Sequence, residues 1–187
     1  MEKFVNIHDA AEGLKAGKTL LYPTDTVWGL GCDATNEEAI KKIEKIKHRS
    51  KEKSFILLVD SIVMLERYVR DIPDVCFDLI EVTDKPLTII YDNPMNLPAS
   101  LLATDGSIGI RVTEDLNCMK LIQRLRKPLV STSANISGQK TATSFEDIHE
   151  EIKNDVDLIL NDRLKEIMKN PSTIIKVASN GNVKVIR

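Results

Sequence analysis

The sequence predicts an α/β fold: a single domain, residues 1–187, with a twisted mixed β-sheet packed by helices. Three observations carry that expectation. Runs with helical spacing alternate with short apolar runs early in the chain, the pattern of helices laid on a sheet. Near the C-terminus Asn180-Gly181 separates two β-prone runs, a tight-turn signal that adds an antiparallel hairpin and makes the sheet mixed. No internal repeat, low-complexity segment or linker interrupts the 187 residues, a length suited to one domain with a real core.

Each element has a local reason. Asn6 can cap a helix from Ile7 to about Lys15, with Gly17 as its stop. Thr19–Tyr22 reads as a buried strand that Pro23 ends by removing a backbone donor. Thr35 with Glu38 reads as a capping box for a helix from Asn36 to about Lys47, whose Ala39, Ile40, Ile43 and Ile46 recur at helical spacing. Phe55–Val59 is a second strand. Asp60 or Ser61 caps a helix to about Arg70, and Pro73 opens another through Val82. Pro86–Tyr91 and Ser107–Val112 are strands joined by the proline-bearing connection Asp92–Thr104, and Asp115–Leu125 is a helix. Pro128–Ser131 is a fifth strand, followed by a polar loop to Thr143 and a helix capped by Ser144 and running to about Lys153. Asp157–Leu160, Thr173–Val177 and Val183–Arg187 complete the strands.

Composition narrows the function. A 42% hydrophobic and 29% charged chain fits a globular protein rather than a disordered one. At a net charge of −2 the whole-molecule field does not recruit nucleic acid; only a local patch could. Cys32, Cys76 and Cys118 are far apart with no Cys-x-x-Cys pair, and His8, His48 and His149 are equally scattered. That spacing argues against a disulfide framework or a zinc site and suits a reducing cytosol. The N-terminus has no apolar signal core and no apolar run approaches the length of a membrane span, so a cytoplasmic protein is expected.

Four stretches could carry chemistry. Thr24-Asp-Thr-Val-Trp-Gly-Leu-Gly31 puts two hydroxyls at a strand end, and its glycines read as permitting unusual backbone angles and close ligand approach. Lys41–Lys53 holds seven Lys/Arg against two glutamates. Lys41, Lys42 and Lys45 read as a solvated helix face. Lys47, Arg49, Lys51 and Lys53 follow the helix and suit a phosphate-bearing ligand, with a nucleic-acid backbone as the competitor. Ser131-Thr-Ser-Ala-Asn-Ile-Ser-Gly138 is a polar loop after a strand, without the Gly-Lys-Ser/Thr of a Walker loop. Arg111 lies inside an apolar strand run, where its charge needs a partner, and Pro171-Ser-Thr-Ile-Ile again places hydroxyls at a strand start.

Together these stretches resemble one family. Tyr22-Pro-Thr-Asp-Thr-Val-Trp-Gly-Leu-Gly31 is similar to its Pro-Thr-Glu-Thr-Val-Tyr-Gly-Leu-Gly, and Lys47-His-Arg49 to its Lys-x-Arg. Pro86-Leu-Thr, Ser107-Ile-Gly-Ile-Arg-Val, Ser133-Ala-Asn-Ile-Ser-Gly and Pro171-Ser-Thr-Ile-Ile find counterparts in order. The resemblance is to the YrdC-like family of threonylcarbamoyl-AMP synthases, over nearly the whole chain and in its short, single-domain form. It implies a YrdC-like fold and condensation of L-threonine, bicarbonate and ATP, with Mg²⁺ carried on the ATP phosphates and no dedicated metal site. It implies that Thr24, Thr26, Arg111, Ser131 and Ser172 bind threonine. Lys47, Arg49, Ser107, Ser133, Asn135, Thr141 and Arg187 would line the ATP side, with Lys47 and Arg49 catalytic. The expected partners are a downstream threonylcarbamoyl transferase complex and tRNA or double-stranded RNA; no membrane contact is expected.

Three departures from the family pattern matter. Ser50 and Ser54 replace prolines after Lys-x-Arg, Leu58 stands where many members carry a histidine near threonine, and Asn161-Asp-Arg-Leu164 replaces a glycine-rich approach and is expected to make no ligand contact. The residues show no candidate nucleophile and no histidine base, which fits a reaction run by positioning and charge stabilisation. Two other classes stay open: a double-stranded RNA-binding module using Lys41–Lys53, and a carbamoyl-transfer accessory domain.

Overall fold

Residues 3–49, 55–168 and 171–187 are described by a computed structural model. Phe4–Val5 forms β1, and Asn6 caps α1 (Ile7–Lys15) by accepting from the Asp9 amide at 3.0 Å. Leu20–Tyr22 is β2, fully buried, and Gly29–Gly31 is β3. Glycine is depleted in strands, so the strand state of this run is not apparent from its composition. Its glycines do not have unusual backbone angles; the positive-φ glycines are 17, 106, 138 and 181. Gly31 is needed for close packing instead, since a Cβ there would collide with the Val130 carbonyl oxygen and the Tyr22 ring.

Helix α2 (Glu37–Ile46) buries Ala39, Ile40, Ile43 and Ile46, the face its spacing predicts. The capping box is corrected: Asn36 is the N-cap and accepts from the Ala39 amide, while the Thr35 hydroxyl donates to Asp33 at 2.7 Å. Ile56–Val59 is β4, and Ser61 caps α3 (Ile62–Leu65). That helix stops well before Arg70 because Arg70 and Met95 donate across to carbonyls of the facing segments, Asn93 and Tyr68, with Asp71 at φ 55°. Asp74–Val82 is α4, Leu87–Tyr91 β5, Ile108–Val112 β6, and Leu116–Leu125 α5, which Asp115 caps through the Asn117 and Cys118 amides. The connection between β5 and β6 contains one 3₁₀ turn, Ala99–Leu101.

Leu129–Ser133 is β7, which runs two residues further than its apolar start suggests. The next helix, α6, is Glu150–Asp155 with His149 as its cap. Ser144 does not start it; its hydroxyl accepts from the Asp147 amide at 3.3 Å and closes a separate turn. Leu158–Leu160 is β8, Thr173–Val177 β9 and Val183–Val185 β10, with Gly181 at φ 83° in the turn between the last two.

Among the described residues these strands form one mixed sheet in the order β1-β8-β2-β3-β7-β4-β6-β5-β9-β10. Parallel pairs are β1 with β8, β8 with β2, β4 with β6 and β5 with β9, and the others are antiparallel. The order places sequence-distant stretches side by side. Gly29 is in register with Ser133, and Leu58 with Arg111. The three cysteines are free and buried in the core. No helix among the described residues is long and apolar enough to cross a membrane.

Candidate active site

A cavity of about 530 Å³ opens where β3, β7, β4, β6 and β9 and their loops meet. Its polar lining includes Thr24, Thr26, Arg49, Arg111, Ser131, Ser133, Thr141, Ser172 and Arg187, nine of the residues that the motifs single out. Stretches that are far apart in the chain thus share one wall because the sheet order makes them neighbours.

The Thr24 turn is built from its own side chain. The Thr24 hydroxyl donates to the Val27 carbonyl at 2.7 Å and accepts from the Thr26 and Val27 amides at 3.0 and 3.2 Å. Because a carbonyl only accepts, the single Thr24 proton is committed there, and the two amides take both Thr24 lone pairs, with the Thr26 hydroxyl 2.9 Å away. The Thr26 oxygen carries two lone pairs of its own. One faces Arg111, whose Nη1 lies at 3.4 Å. Arg111 is only 4% exposed and pairs through Nη2 with Asp25 at 3.1 Å, and Asp25 is 24% exposed. Burial pushes the Asp25 carboxyl up, and the Arg111 charge opposes that shift. Asp25 does not line the cavity but holds Arg111 there, a supporting role that sequence reasoning missed; a lone carboxylate inside the hydroxyl-rich motif was the available signal.

On the other side, Arg49 donates from Nη1 to the Thr132 hydroxyl at 3.2 Å and stacks over the Phe55 ring at 4.3 Å. Ser172 shares a 3.0 Å hydrogen bond with Thr88, and the Arg187 Nη2 donates to the Ser172 carbonyl at 3.2 Å. The terminal arginine is therefore tied to the cavity rather than frayed. Val27, Ile56, Met168 and Ile174 add an apolar wall; Val27 and Ile174 lie within the motifs, Ile56 and Met168 outside them.

Three expected site residues do not line the cavity. Lys47 is buried, and its ammonium donates to the carbonyls of Ser133 and Asn135, the latter at 2.7 Å. It braces the wall from behind, because a buried ammonium must spend its donors on acceptors. Ser107 is also buried, with hydroxyl and amide donated to the Asp105 carboxylate at 2.6 and 3.0 Å. The Asn135 side-chain amide donates to the Ile136 and Gln139 carbonyls, both at 2.9 Å.

Other expectations resolve as follows. Lys41 and Lys42 are exposed and face Glu38 and Asp157 at 2.9 and 3.7 Å, as on a solvated helix face. Ser50, Lys51, Lys53 and Ser54 lie outside the described residues. Leu58 is buried in the core. Arg163 does not line the cavity, but its Nη2 pairs with Asp115 at 2.8 Å and its Nη1 donates to the Thr24 carbonyl at 3.4 Å, steadying the Thr24 turn.

Among the described residues four cations line the cavity, Arg49, Arg111, Lys140 and Arg187, and no aspartate or glutamate does. In a chain of net charge −2 this is a local field for a polyanion. Among the described residues no group of three or more His, Cys, Asp or Glu gathers to hold a metal ion.

The chain is similar in sequence and fold to known proteins. Residues 12–187 match the family model Sua5/YciO/YrdC, described as telomere recombination. A protein named threonylcarbamoyl-AMP synthase from Pseudoalteromonas translucida (strain TAC 125) is 37% identical over 173 residues, 91% of each chain. The crystal structure of Sua5 from P. abyssi complexed with L-threonine superposes with a TM-score of 0.86 at 26% identity, covering 97% of this chain. It covers 53% of that protein, so the present chain spans about half the length of Sua5. E. coli YciO superposes with a TM-score of 0.84 at 27% identity, over 97% of this chain and 87% of that one. By the extent of the family match and the identity shared over nearly the whole chain, the protein belongs to the Sua5/YciO/YrdC family.

Proposed function

We propose that this protein is an L-threonylcarbamoyladenylate synthase, that residues 1–187 form one catalytic domain, and that it is a nucleotidyltransferase. The observation that carries the reading is the cavity itself: among the described residues, four cations, no lining carboxylate and a cluster of hydroxyls in one space. A triphosphate needs the cations; a small hydroxy amino acid needs a carboxylate clamp with a hydroxyl beside it, and Arg111 with Thr26 supplies both. The P. abyssi Sua5 crystallised with L-threonine supports placing an amino acid in this fold.

In this reading bicarbonate and the threonine amine lose water to give a carbamate. A carbamate oxygen then attacks the α-phosphorus of ATP, the bond to the bridging oxygen of the β-phosphate breaks, and pyrophosphate leaves. No protein nucleophile is required, so the side chains orient the reactants and stabilise charge. Arg111, Thr24, Thr26, Ser131 and Ser172 face the amino acid; Arg49, Ser133, Thr141 and Arg187 face the nucleotide. Lys47 acts through the Ser133 and Asn135 carbonyls. Among the described residues the lining offers hydroxyls but no carboxylate, which does not fit a dedicated Mg²⁺ site. Mg²⁺ therefore enters as part of the MgATP substrate, on phosphate and water oxygens. The product feeds a threonylcarbamoyl transferase acting on tRNA in the cytoplasm.

The test is pyrophosphate release from ATP by the full chain. Release that needs both L-threonine and bicarbonate is expected; equal release with either omitted overturns the assignment.

A further inference from the structure

Of the four cations around the cavity, three are engaged. Arg111 is paired with Asp25, Arg187 is bonded to the Ser172 carbonyl, and Arg49 holds Thr132 and stacks on Phe55. Lys140 is the fourth, exposed at the rim, and it makes no hydrogen bond or ion pair among the described residues.

The chain delivers Lys140 to that rim through a locked turn. The Ser137 amide donates to the Lys47 carbonyl at 2.9 Å, and the Gln139 amide donates to the Ile136 carbonyl at 3.0 Å. Asn135 clamps the turn at both ends with its two bonds to Ile136 and Gln139. Its amide orientation is fixed by those carbonyls, because the reversed amide would set an oxygen against each of them. Gly138 at φ 84° takes the left-handed position that the turn requires. Lys140 and Thr141 emerge directly from this structure, and both line the cavity.

A fixed backbone that ends in a long, unpaired side chain beside a cationic cavity has a specific use. An ammonium on a flexible stem can follow a polyphosphate chain as a point charge, where the guanidinium groups already held in place cannot move. Within the nucleotide-binding reading given above, on which this inference rests, we propose that Lys140 is a polyphosphate-binding residue of the site.

Inorganic tripolyphosphate is the probe, because it carries the phosphates without the base or the chemistry. Calorimetric titration of the full chain at low and at high salt compares wild type with Lys140→Ala and Lys140→Arg, and L-threonine binding is measured alongside. Lys140→Ala is expected to weaken tripolyphosphate binding roughly tenfold at low salt, the scale of one exposed charge-assisted contact. The gap should narrow at high salt as screening removes the charge term. Lys140→Arg should keep most of the affinity, and L-threonine affinity should not follow the loss. Equal tripolyphosphate affinity in wild type and Lys140→Ala overturns the proposal, as does no binding by wild type, or a gap that salt leaves intact and arginine does not repair. The two readings separate cleanly. If tripolyphosphate binding needs Lys140 while pyrophosphate release ignores threonine, Lys140 stands and the threonine substrate falls. If release needs threonine and bicarbonate while tripolyphosphate binding ignores Lys140, only the Lys140 proposal falls.

Discussion

The Arg111 guanidinium lies 3.1 Å from the Asp25 carboxylate, a buried arginine answered by a carboxylate from the Thr24 turn. The pair fixes the turn to β6 and spares the sheet an uncompensated charge. Removing one member of such a pair costs far more than the pair contributes, because the survivor stays in low dielectric unpaired. Asp25→Ala is therefore expected to destabilise the protein by about 3 kcal/mol, at the lower end of the range because Asp25 is partly solvated. Urea-unfolding midpoints measure this; a shift of a few tenths of a kcal/mol would show that water already screens the pair.

Lys47 should matter for folding as much as for catalysis. Its ammonium satisfies the Ser133 and Asn135 carbonyls from inside the wall. Lys47→Met keeps the stem and strands both acceptors, at about 1–3 kcal/mol for each unsatisfied group. The expected result is a lowered unfolding midpoint together with lost turnover. Lost turnover in a protein of wild-type stability would instead make Lys47 a direct ligand.

Arg49 offers the opposite case, a cation on the lining itself. Arg49→Ala is expected to cut turnover by roughly two to three powers of ten, the scale of one preorganised charge-stabilising donor. Lysine should be a poor replacement, since it cannot both stack on Phe55 and reach Thr132 with a planar fork. A folded Arg49→Lys protein with full activity would remove Arg49 from the reaction.

The pH dependence of stability has one local contributor. Lys176 and Ser107 donate to Asp105 and hold its carboxyl well below the usual carboxylate range. A depressed carboxyl contributes stability above its unfolded value near 3.9, and the contribution fades as pH falls through the folded value. Asp105→Asn should thus be less stable than wild type at pH 7, with the difference shrinking below about pH 4. Urea midpoints for both proteins at pH 7, 5 and 3 check the sign; a gap that widens on acidification contradicts it.

What the sequence disclosed follows the range of the interactions. Asn6 and Ser61 are legible as caps because a cap and its amide lie three residues apart. The hairpin at Gly181 is equally local. The motifs also named most of the cavity's polar lining, since hydroxyls and arginines at strand ends are unusual by themselves. Long-range relationships stayed hidden. Nothing near Lys47 announces that its acceptors lie far along the chain, and nothing near Gly31 announces that Tyr22 and Val130 need the space a side chain would take. Asp25 reads as one more polar loop residue until β6 brings Arg111 beside it.

Substrate preference gives the sharpest test of the hydroxyl arrangement. The Arg111 guanidinium can only donate, so the Thr26 oxygen accepts from it and has a second lone pair for a ligand donor. A β-hydroxy amino acid arriving at Arg111 brings a donor for that acceptor. Valine has the same shape without the donor, and binding it would leave the buried Thr26 oxygen without its ligand partner, at about 1–3 kcal/mol. Serine keeps the hydroxyl and lacks one methyl, which an apolar niche values at about 1–3 kcal/mol, or roughly 10–200-fold. The cavity offers such a niche in Val27, Ile56 and Ile174. Threonine should therefore be preferred to serine, and valine should fare worse still, because a site built for a hydroxyl rejects its apolar analogue more strongly than one lost methyl. Thr26→Val should narrow the gap between threonine and valine by removing the acceptor that distinguishes them. The measurement is pyrophosphate release with the three amino acids at matched concentrations, for wild type and Thr26→Val. If valine matches threonine in the wild type, Thr26 does not read the substrate hydroxyl and the amino-acid end of the cavity must be assigned elsewhere.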